Sequence, residues 1–363
     1  MAKPASQATS MTDVARRADV SLQTVSNVLN RPERVRPATR KRVLDAIRAL
    51  DYTPNVAARR LRSARASTIA VRLDSNTVDG APGRGLYAGF IQDEFVYQLT
   101  AAAEQRGIKV IAYTAGGPDE EIRRLSELLK SRDADGVVLT STTEGDRRPD
   151  ILQSLEVPFI SFGRPWGATD LYSTAHPWVD VDGASGTALA TRLFWNRGHR
   201  DIGFIGWPFR QHRGRAPESV NEDRFQGWQD TMRSLRRDLP VRALSTRAAF
   251  SEESLDGGRG AARALLANHP EITAIVCASD TLALGASLEA VRLRRRDVQV
   301  SGFDNSPAAA EFGFSSLDQG LPSVADRALQ VLMGDSGNQI RHVDFAAAST
   351  SSHVLMQAVL IER

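Results

Sequence analysis

Residues 12–30 read TDVARRADVSLQTVSNVLN. An alanine-rich amphipathic segment breaks at Asp19-Val20-Ser21, and a second apolar-periodic segment follows that carries Ser, Gln, Thr and Asn. Ser10 with Asp13 three residues later has the spacing of a capping box and predicts a helix start. Val14, Ala15 and Ala18 form the inner stripe of that helix. Asp19 stands at the turn, where a residue tolerant of left-handed backbone is required. Ser21 is placed to cap a second helix with Val25, Val28 and Leu29 facing inward. Two short helices joined this way make a helix-turn-helix, although a plain αα-hairpin shares the local pattern. In a helix-turn-helix the second helix enters the major groove by its N-terminal end. Leu22, Gln23 and Asn27 then face outward. Gln and Asn pair bidentately with adenine, and Leu packs on a thymine methyl. Ser21, Thr24, Ser26 and Asn30 suit phosphate contacts, which fix register without reading sequence.

The surroundings favour the nucleic-acid reading. Residues 1–66 hold 14 Lys and Arg against 5 Asp and Glu, whereas the other 297 residues hold 32 against 38. A basic head on an acidic body is the footprint of a nucleic-acid-binding module joined to something else. A third helix is expected over 37–50, opened by Pro37 and burying Val43, Ile47 and Leu50. In DYTPNVAARRLRS, residues 51–63, Pro54 breaks the chain, Asn55 can cap, and 56–62 is a helix too short to stand alone. Its arginines suit phosphates and Leu61 is an apolar wedge of the kind minor-groove binders insert between bases. The alternative is an interdomain linker.

At 363 residues, two or three domains are expected. Apolar residues at 42% and charged residues at 25% describe a soluble globular chain. No apolar run reaches the roughly 18 residues of a membrane span, and MAKPASQATS offers no secretory signal. The single cysteine, Cys277, lies in AIVCAS and reads as a buried structural thiol. The expected location is the cytoplasm. Beyond Ala66, short apolar runs alternate with amphipathic helices. The expected strands are TIAVRL, KVIAYT, GVVLTS, PFISFG, WVDVD, IGFIGW, AIVCAS and VQVSGF, with helices at 183–197, 252–267 and 281–293 among those between them. Such alternation predicts doubly wound parallel sheets, and its length suggests two lobes. Ligands of such sheets bind outside the strand carboxyl ends. That rule nominates Asp74, Thr114, Ser141, Arg164, Trp207, Ser279, Asp280 and Asp304.

MTDVARRADVSLQTVSNVLN with TRKRVLDAIRALDYTPNVAARRLRS resembles the N-terminal module of the LacI/GalR family of bacterial transcriptional regulators. GHRDIGFIG, RFQGW, ASDTLALGA and VSGFDNSP resemble recurrent segments of the family's body. The resemblance implies a small all-α head, a hinge helix and a two-lobed body like a periplasmic binding protein. It implies Leu22, Gln23 and Asn27 as operator-reading residues. Residues 55–62 become a hinge helix on the minor groove, with Asn55, Ala58, Arg59 and the intercalating Leu61. Asp19 replaces the usual Gly and Asn27 a common Arg, so the operator should differ from those read by that Arg. By position Arg224 matches the effector-binding arginine and Asp304 the effector-binding aspartate, a donor fork and an acceptor suited to polyols; a salt bridge between lobes is the alternative. Phe250 falls near a ligand-stacking aromatic, or is ordinary core. Ser279 replaces a frequent Asn, and Gly163-Arg164 an Asp of some sugar binders. Asp280 either contacts ligand or caps a helix. Residues 210–223 read as a mobile loop over the cleft.

The implied organisation is a disordered tail at 1–9, the DNA-binding head at 10–54, hinge and linker at 55–66, and the body at 67–363. Lobe 1 is expected at about 67–165 and 320–338, and lobe 2 at about 166–319 and 339–363. The expected protein is a repressor of carbohydrate genes, bound as a homodimer to pseudo-palindromic double-stranded operator DNA. A sugar or glycoside effector would control it, with no metal, cofactor or membrane. Two other classes fit less well. In GRGLYAG, residues 83–89, the third glycine is one position late for a dinucleotide loop. A transport receptor would need a signal where the basic head stands.

Overall fold

The computed structural model describes residues 10–30, 34–50, 68–73, 77–78, 81–82, 90–167, 170, 174, 176–208, 219–334, 340 and 352–363. The expected tail, the hinge with Asn55, Ala58, Arg59 and Leu61, and Asp74 lie outside these residues. The chain divides into two units, Met1–Ala66 and Ser67–Arg363.

In the head, α1 spans Met11–Ala18, α2 Leu22–Asn30 and α3 Pro37–Ala49. The capping box forms: Asp13 N donates to Ser10 Oγ at 3.3 Å and Ser10 N to Asp13 Oδ2 at 3.0 Å. Asp19 is left-handed (φ 49°, ψ 57°) and its N–H closes α1 on Ala15 O and Arg16 O. Val14, Val25 and Val43, one from each helix, are fully buried together. Three short helices gain their order from that shared apolar contact rather than from propensity alone.

The body begins with β1 (Thr68–Arg72), then a two-residue antiparallel pair β2 (Thr77–Val78) and β3 (Ala81–Pro82). There follow α4 (Phe90–Gln105), β4 (Lys109–Tyr113), α5 (Pro118–Lys130), β5 (Gly136–Leu139), α6 (Arg148–Ser154), β6 (Phe159–Phe162) and β7 (Trp178–Asp182). Next come α7 (Gly183–Asn196), β8 (Ile202–Gly206), α8 (Ser219–Leu235), α9 (Val241–Ser245), β9 (Ala248–Phe250), α10 (Leu255–Asn268) and β10 (Ala274–Cys277). The remaining elements are α11 (Asp280–Arg292), β11 (Gln299–Phe303), α12 (Pro307–Phe312), β12 (Ser315–Asp318), α13 (Leu321–Met333), β13 (His353–Gln357) and β14 (Val359–Ile361).

Two six-stranded sheets result, ordered β13-β7-β6-β5-β1-β4 and β14-β12-β11-β10-β8-β9. Every pair is parallel except β12 with β14. Helices on both faces explain why β5 and β10 are buried along their whole length. The chain passes between lobes three times, leaving the carboxyl ends of β7, β12 and β13. Each sheet therefore presents its strand ends to the other lobe.

This topology corrects the expected lobe limits. β7 lies in the first sheet beside β6, and β13 pairs with β7, His353 opposite Trp178. Residues 176–182 and 352–357 thus belong to lobe 1, and only the last strand returns to lobe 2. The reason is that sheet membership follows pairing across 175 residues of sequence, Gln357 opposite Asp182, which no local pattern encodes. The expected loop at 210–223 is also shorter than read, because α8 starts at Ser219 with Glu222 in its first turn, where acidic charge complements the helix dipole.

Candidate functional site

On α2, Leu22 is 46% exposed and Gln23 is exposed. Gln23 Nε2 donates to Asn27 Oδ1 at 3.2 Å, one turn on. That bond leaves Gln23 Oε1 and Asn27 Nδ2 on one helix face, an acceptor and a donor side by side. Ser21 Oγ accepts from Thr24 N at 3.1 Å, and the two hydroxyls lie 2.8 Å apart. Ser21 is therefore the cap of α2 as well as a residue at its exposed end.

In lobe 2, α8 and the carboxyl ends of β8, β9, β10 and β11 bring five predicted residues and one nominated tryptophan together. Arg224 is 7% exposed. Its guanidinium lies 3.8 Å above the Phe303 ring and 6.0 Å from the Trp207 ring, and Nη1 donates to Ala278 O at 2.5 Å. Arg224 Nε and Trp207 Nε1 are buried and meet no partner among the described residues. Buried donors without partners are uncommon, and sites for polar ligands are one place where they occur. Asp304 follows β11 in a left-handed backbone (φ 123°), a strained conformation for a residue with a Cβ. Gln319 Nε2 donates to Asp304 Oδ1 at 2.7 Å. Burial pushes the Asp304 carboxyl well above the usual range; Arg224 opposes that shift, while Asp280 and Glu253 add to it. Phe250, 38% exposed, ends β9 and meets Phe225 edge-on at 5.5 Å.

Ser279 and Asp280 sit at the same rim but are engaged within the protein. The cap of α11 is Ser279, whose Oγ accepts from Leu282 N at 3.3 Å. The capping role expected one residue later at Asp280 falls here because Ser279 keeps extended backbone. Asp280 uses both oxygens, accepting from Ser306 N and Ser316 Oγ at 2.6 Å each. Burial raises its carboxyl to about 6. Phe250 likewise is neither plain core nor fully exposed.

In lobe 1, Arg164 follows β6. Its Nε donates to Asp180 Oδ2 at 2.6 Å and its Nη2 to Val181 O at 3.0 Å. Nη1 and Nη2 reach Asp223 on α8 of the other lobe at 3.4 and 3.2 Å. The salt bridge between lobes weighed for Arg224 and Asp304 is thus made by Arg164 instead. Gly163, φ 120°, has no room for a Cβ against Thr142 Oγ1, and that hydroxyl accepts from Trp166 Nε1 at 3.1 Å. Beneath this rim, Glu121 is fully buried and accepts from Arg72, Arg148 and Tyr113 at 2.5, 2.7 and 3.1 Å. Arg148 Nη2 also donates to Thr140 O and Ser141 O, fixing the end of β5. Sequence reading missed Asp180, Asp223 and Gln319. The first was signalled by an acid inside the apolar run WVDVD; the other two carry no local signal.

A helix-turn-helix head followed by a two-lobed α/β body, with polar and aromatic groups gathered at the strand ends, defines a DNA-binding protein with a ligand-binding body. The chain belongs to the LacI family of bacterial regulators. Residues 10–55 match "Bacterial regulatory proteins, lacI family", and residues 88–332 match "Periplasmic binding proteins and sugar binding domain of LacI family". It is a DNA-binding transcriptional regulator, not an enzyme. The HTH-type transcriptional regulator CelR of Thermobifida fusca is 32% identical over 312 residues, covering 84% of this chain and 85% of that one. The ribose operon repressor of Haemophilus influenzae is 28% identical, covering 81% of each. A solved complex of the regulator CelR with cellobiose matches with TM-score 0.64 and 26% identity over 97% of this chain and 98% of that one. The lac repressor dimer bound to operator and the anti-inducer ONPF shares the fold, with TM-score 0.73 and 19% identity over 98% of each chain. Among the described residues no helix is long and apolar enough to cross a membrane.

Proposed function

We propose that this regulator is a cytoplasmic repressor of carbohydrate-utilisation genes, released from its operator by a sugar or glycoside. Leu22, Gln23 and Asn27 read bases, and Ser21, Thr24, Ser26 and Asn30 contact the DNA backbone. Two copies bind a pseudo-palindromic site, each placing residues 55–62 in the minor groove with Leu61 as the wedge. The ligand lies between the lobes, held by Arg224 and Asp304 and stacked on Phe250. The carrying observation is the buried Arg224 with an unpartnered Nε beside a strained, half-buried Asp304. Such a donor and acceptor fit a vicinal diol, and neighbouring aromatic faces fit the apolar face of a sugar ring. The relatives that bind cellobiose or govern ribose genes support the same class. Ligand that binds one lobe arrangement better shifts the population toward it and changes operator affinity by the same coupling.

The test is thermal unfolding of the full chain against cellobiose, ribose, other sugars and nucleobases. A ligand at 100 times its Kd stabilises by about 2.7 kcal/mol. A sugar hit that disappears in Arg224→Ala and that weakens operator binding of the wild type supports the reading. A nucleobase hit discards the carbohydrate class. A sugar that stabilises Arg224→Ala as strongly as the wild type removes Arg224 from the site.

A further inference from the structure

We propose that Arg164 is a positioning residue at the first crossover between lobes, holding their mutual orientation and, through Asp223, the place of Arg224. The part concerning Arg224 rests on the ligand site proposed above; the part concerning the lobes does not. Arg164 is 6% exposed and its guanidinium lies between two carboxylates on different lobes. On one side are Asp180 and Val181 of β7, the strand that ends at the crossover. On the other is Asp223 of α8, whose Oδ2 also accepts from Ala184 N at 3.1 Å. Asp223 thereby ties Arg164 to the N-terminus of α7, the first element of lobe 2.

The surroundings leave little slack. A Cβ at Gly183 would stand 2.8 Å from Asp223 Oδ2 and 3.0 Å from Arg224 Cγ. One residue earlier, Asp182 caps α7 by accepting from Ser185 N at 2.8 Å. Its other oxygen accepts from Gln357 Nε2 at 3.3 Å, at the end of β13 where the third crossover begins. Two crossovers are therefore fastened together, and Arg164 is the one cation seen bridging the lobes beside them among the described residues. Its contacts to Asp223 already lie at 3.2 and 3.4 Å. A hinge opening of about 1 Å would take both beyond hydrogen-bonding range. The bridge thus exists in one lobe arrangement only, and a buried charge that loses a partner is strongly disfavoured. Because Asp223 and Arg224 are adjacent on one helix, a ligand pulling on Arg224 acts directly on this bridge.

The experiment reads lobe separation without ligand. Nitroxides are placed on Leu155→Cys in lobe 1 and Phe312→Cys in lobe 2, 53% and 51% exposed. Labelled chain is diluted into unlabelled chain so that only the intramolecular distance is measured. Cys277 is fully buried and stays unlabelled. The wild-type background should give one narrow distance. Arg164→Met and Asp223→Asn should each add a longer, broader population, and Arg164→Lys should fall between. Asp223→Asn keeps an acceptor for Ala184 N, so it separates loss of the bridge from loss of folding. A wild-type distance in a folded Asp223→Asn variant overturns the proposal, whatever becomes of Arg164→Met. In Arg224→Ala the ligand-free distance should stay unchanged while sugar response is lost, so failure of the ligand-site reading appears in that variant alone.

Discussion

Two glycines inside helices should respond to the same substitution with opposite sign. Ala is favoured over Gly by about 1 kcal/mol in a helix interior, because Gly loses more backbone freedom on folding. At Gly260, in α10, nothing lies within 4 Å of where the methyl would stand. Gly260→Ala should therefore stabilise the body by about 1 kcal/mol. At Gly227, in α8, the methyl would overlap Ala184 O and lie 2.6 Å from Ala184 C and 2.5 Å from Thr187 Oγ1. These atoms belong to α7, whose start is tied down by Asp182 and Asp223. Ordinary carbon contacts are about 3.5–4.0 Å, so the helices must part by roughly 1 Å. Overpacking of that kind costs about 1–3 kcal/mol or more. The bond from Thr187 Oγ1 to Arg224 O, 2.7 Å long, would be stretched as well, adding about 1 kcal/mol. After the helix-propensity gain, Gly227→Ala should destabilise by about 1–3 kcal/mol. Urea unfolding of the full chain, followed through the body's transition, measures both changes. Two variants moving in the same direction would refute the claim that α7 and α8 meet rigidly at this point.

Other expectations follow from the caps, the reading face and the buried carboxylates. Ser10→Ala removes one half of the capping box and should lower the head's stability by about 1 kcal/mol, visible by calorimetry as a fall in the head's own transition with the body's unchanged. Gln23→Ala should relax base preference at one position of each half-site, by about 1–3 kcal/mol, while leaving the salt dependence of binding alone; selection from randomised operators reads the first, and titration at several salt concentrations the second. Asp280 has a folded-state value near 6 against an ordinary 3.8. Between those values the folded protein keeps a proton that the unfolded chain has released. Stability from this group therefore falls as pH rises from about 4 to about 6 and levels off above. Asp280→Asn, which can still bond Ser306 N and Ser316 Oγ, should flatten that fall in unfolding curves taken across the same window; an unchanged slope would assign it elsewhere.

The head was legible almost residue by residue because its determinants are local. A capping box, a left-handed Asp19 and an apolar stripe each act within a few positions of where they are written. The eight apolar runs chosen as strands all form strands, and in all but β4 nearly every position is buried, which selects apolar side chains. Six others were not visible, two of them, β2 and β3, only two residues long. β12 reads SSLD, yet Ser315 and Ser316 are buried, and Ser316 reaches that state by bonding Asp280. β9, β13 and β14 are short and partly exposed, so no periodicity marks them. The lobe limits were misplaced for a related reason: β7 and β13 meet only after two further lobe crossings. Arg224 was found through resemblance, and neither composition nor spacing would have singled it out; Asp304 was also nominated by its place just past a strand end. Asp223 and Gln319 escaped because each acquires its role from what it faces after folding. Arg164 was noticed for its position, but its partners on two lobes could not be inferred from neighbours in the chain.

The triple crossing of the chain sets an order for biosynthesis. The core shared by the head's three described helices closes within residues 10–50, so it can form as soon as that stretch is free of the ribosome. Neither sheet of the body has that freedom. The first lacks β13 until residue 357 has been made, and the second lacks β14 until residue 361. Throughout synthesis, therefore, β7 and β12 each have an open edge where a later strand will pair, and unpaired edges invite association with other chains. A nascent regulator can carry a finished DNA-reading module while its body still lacks both closing strands.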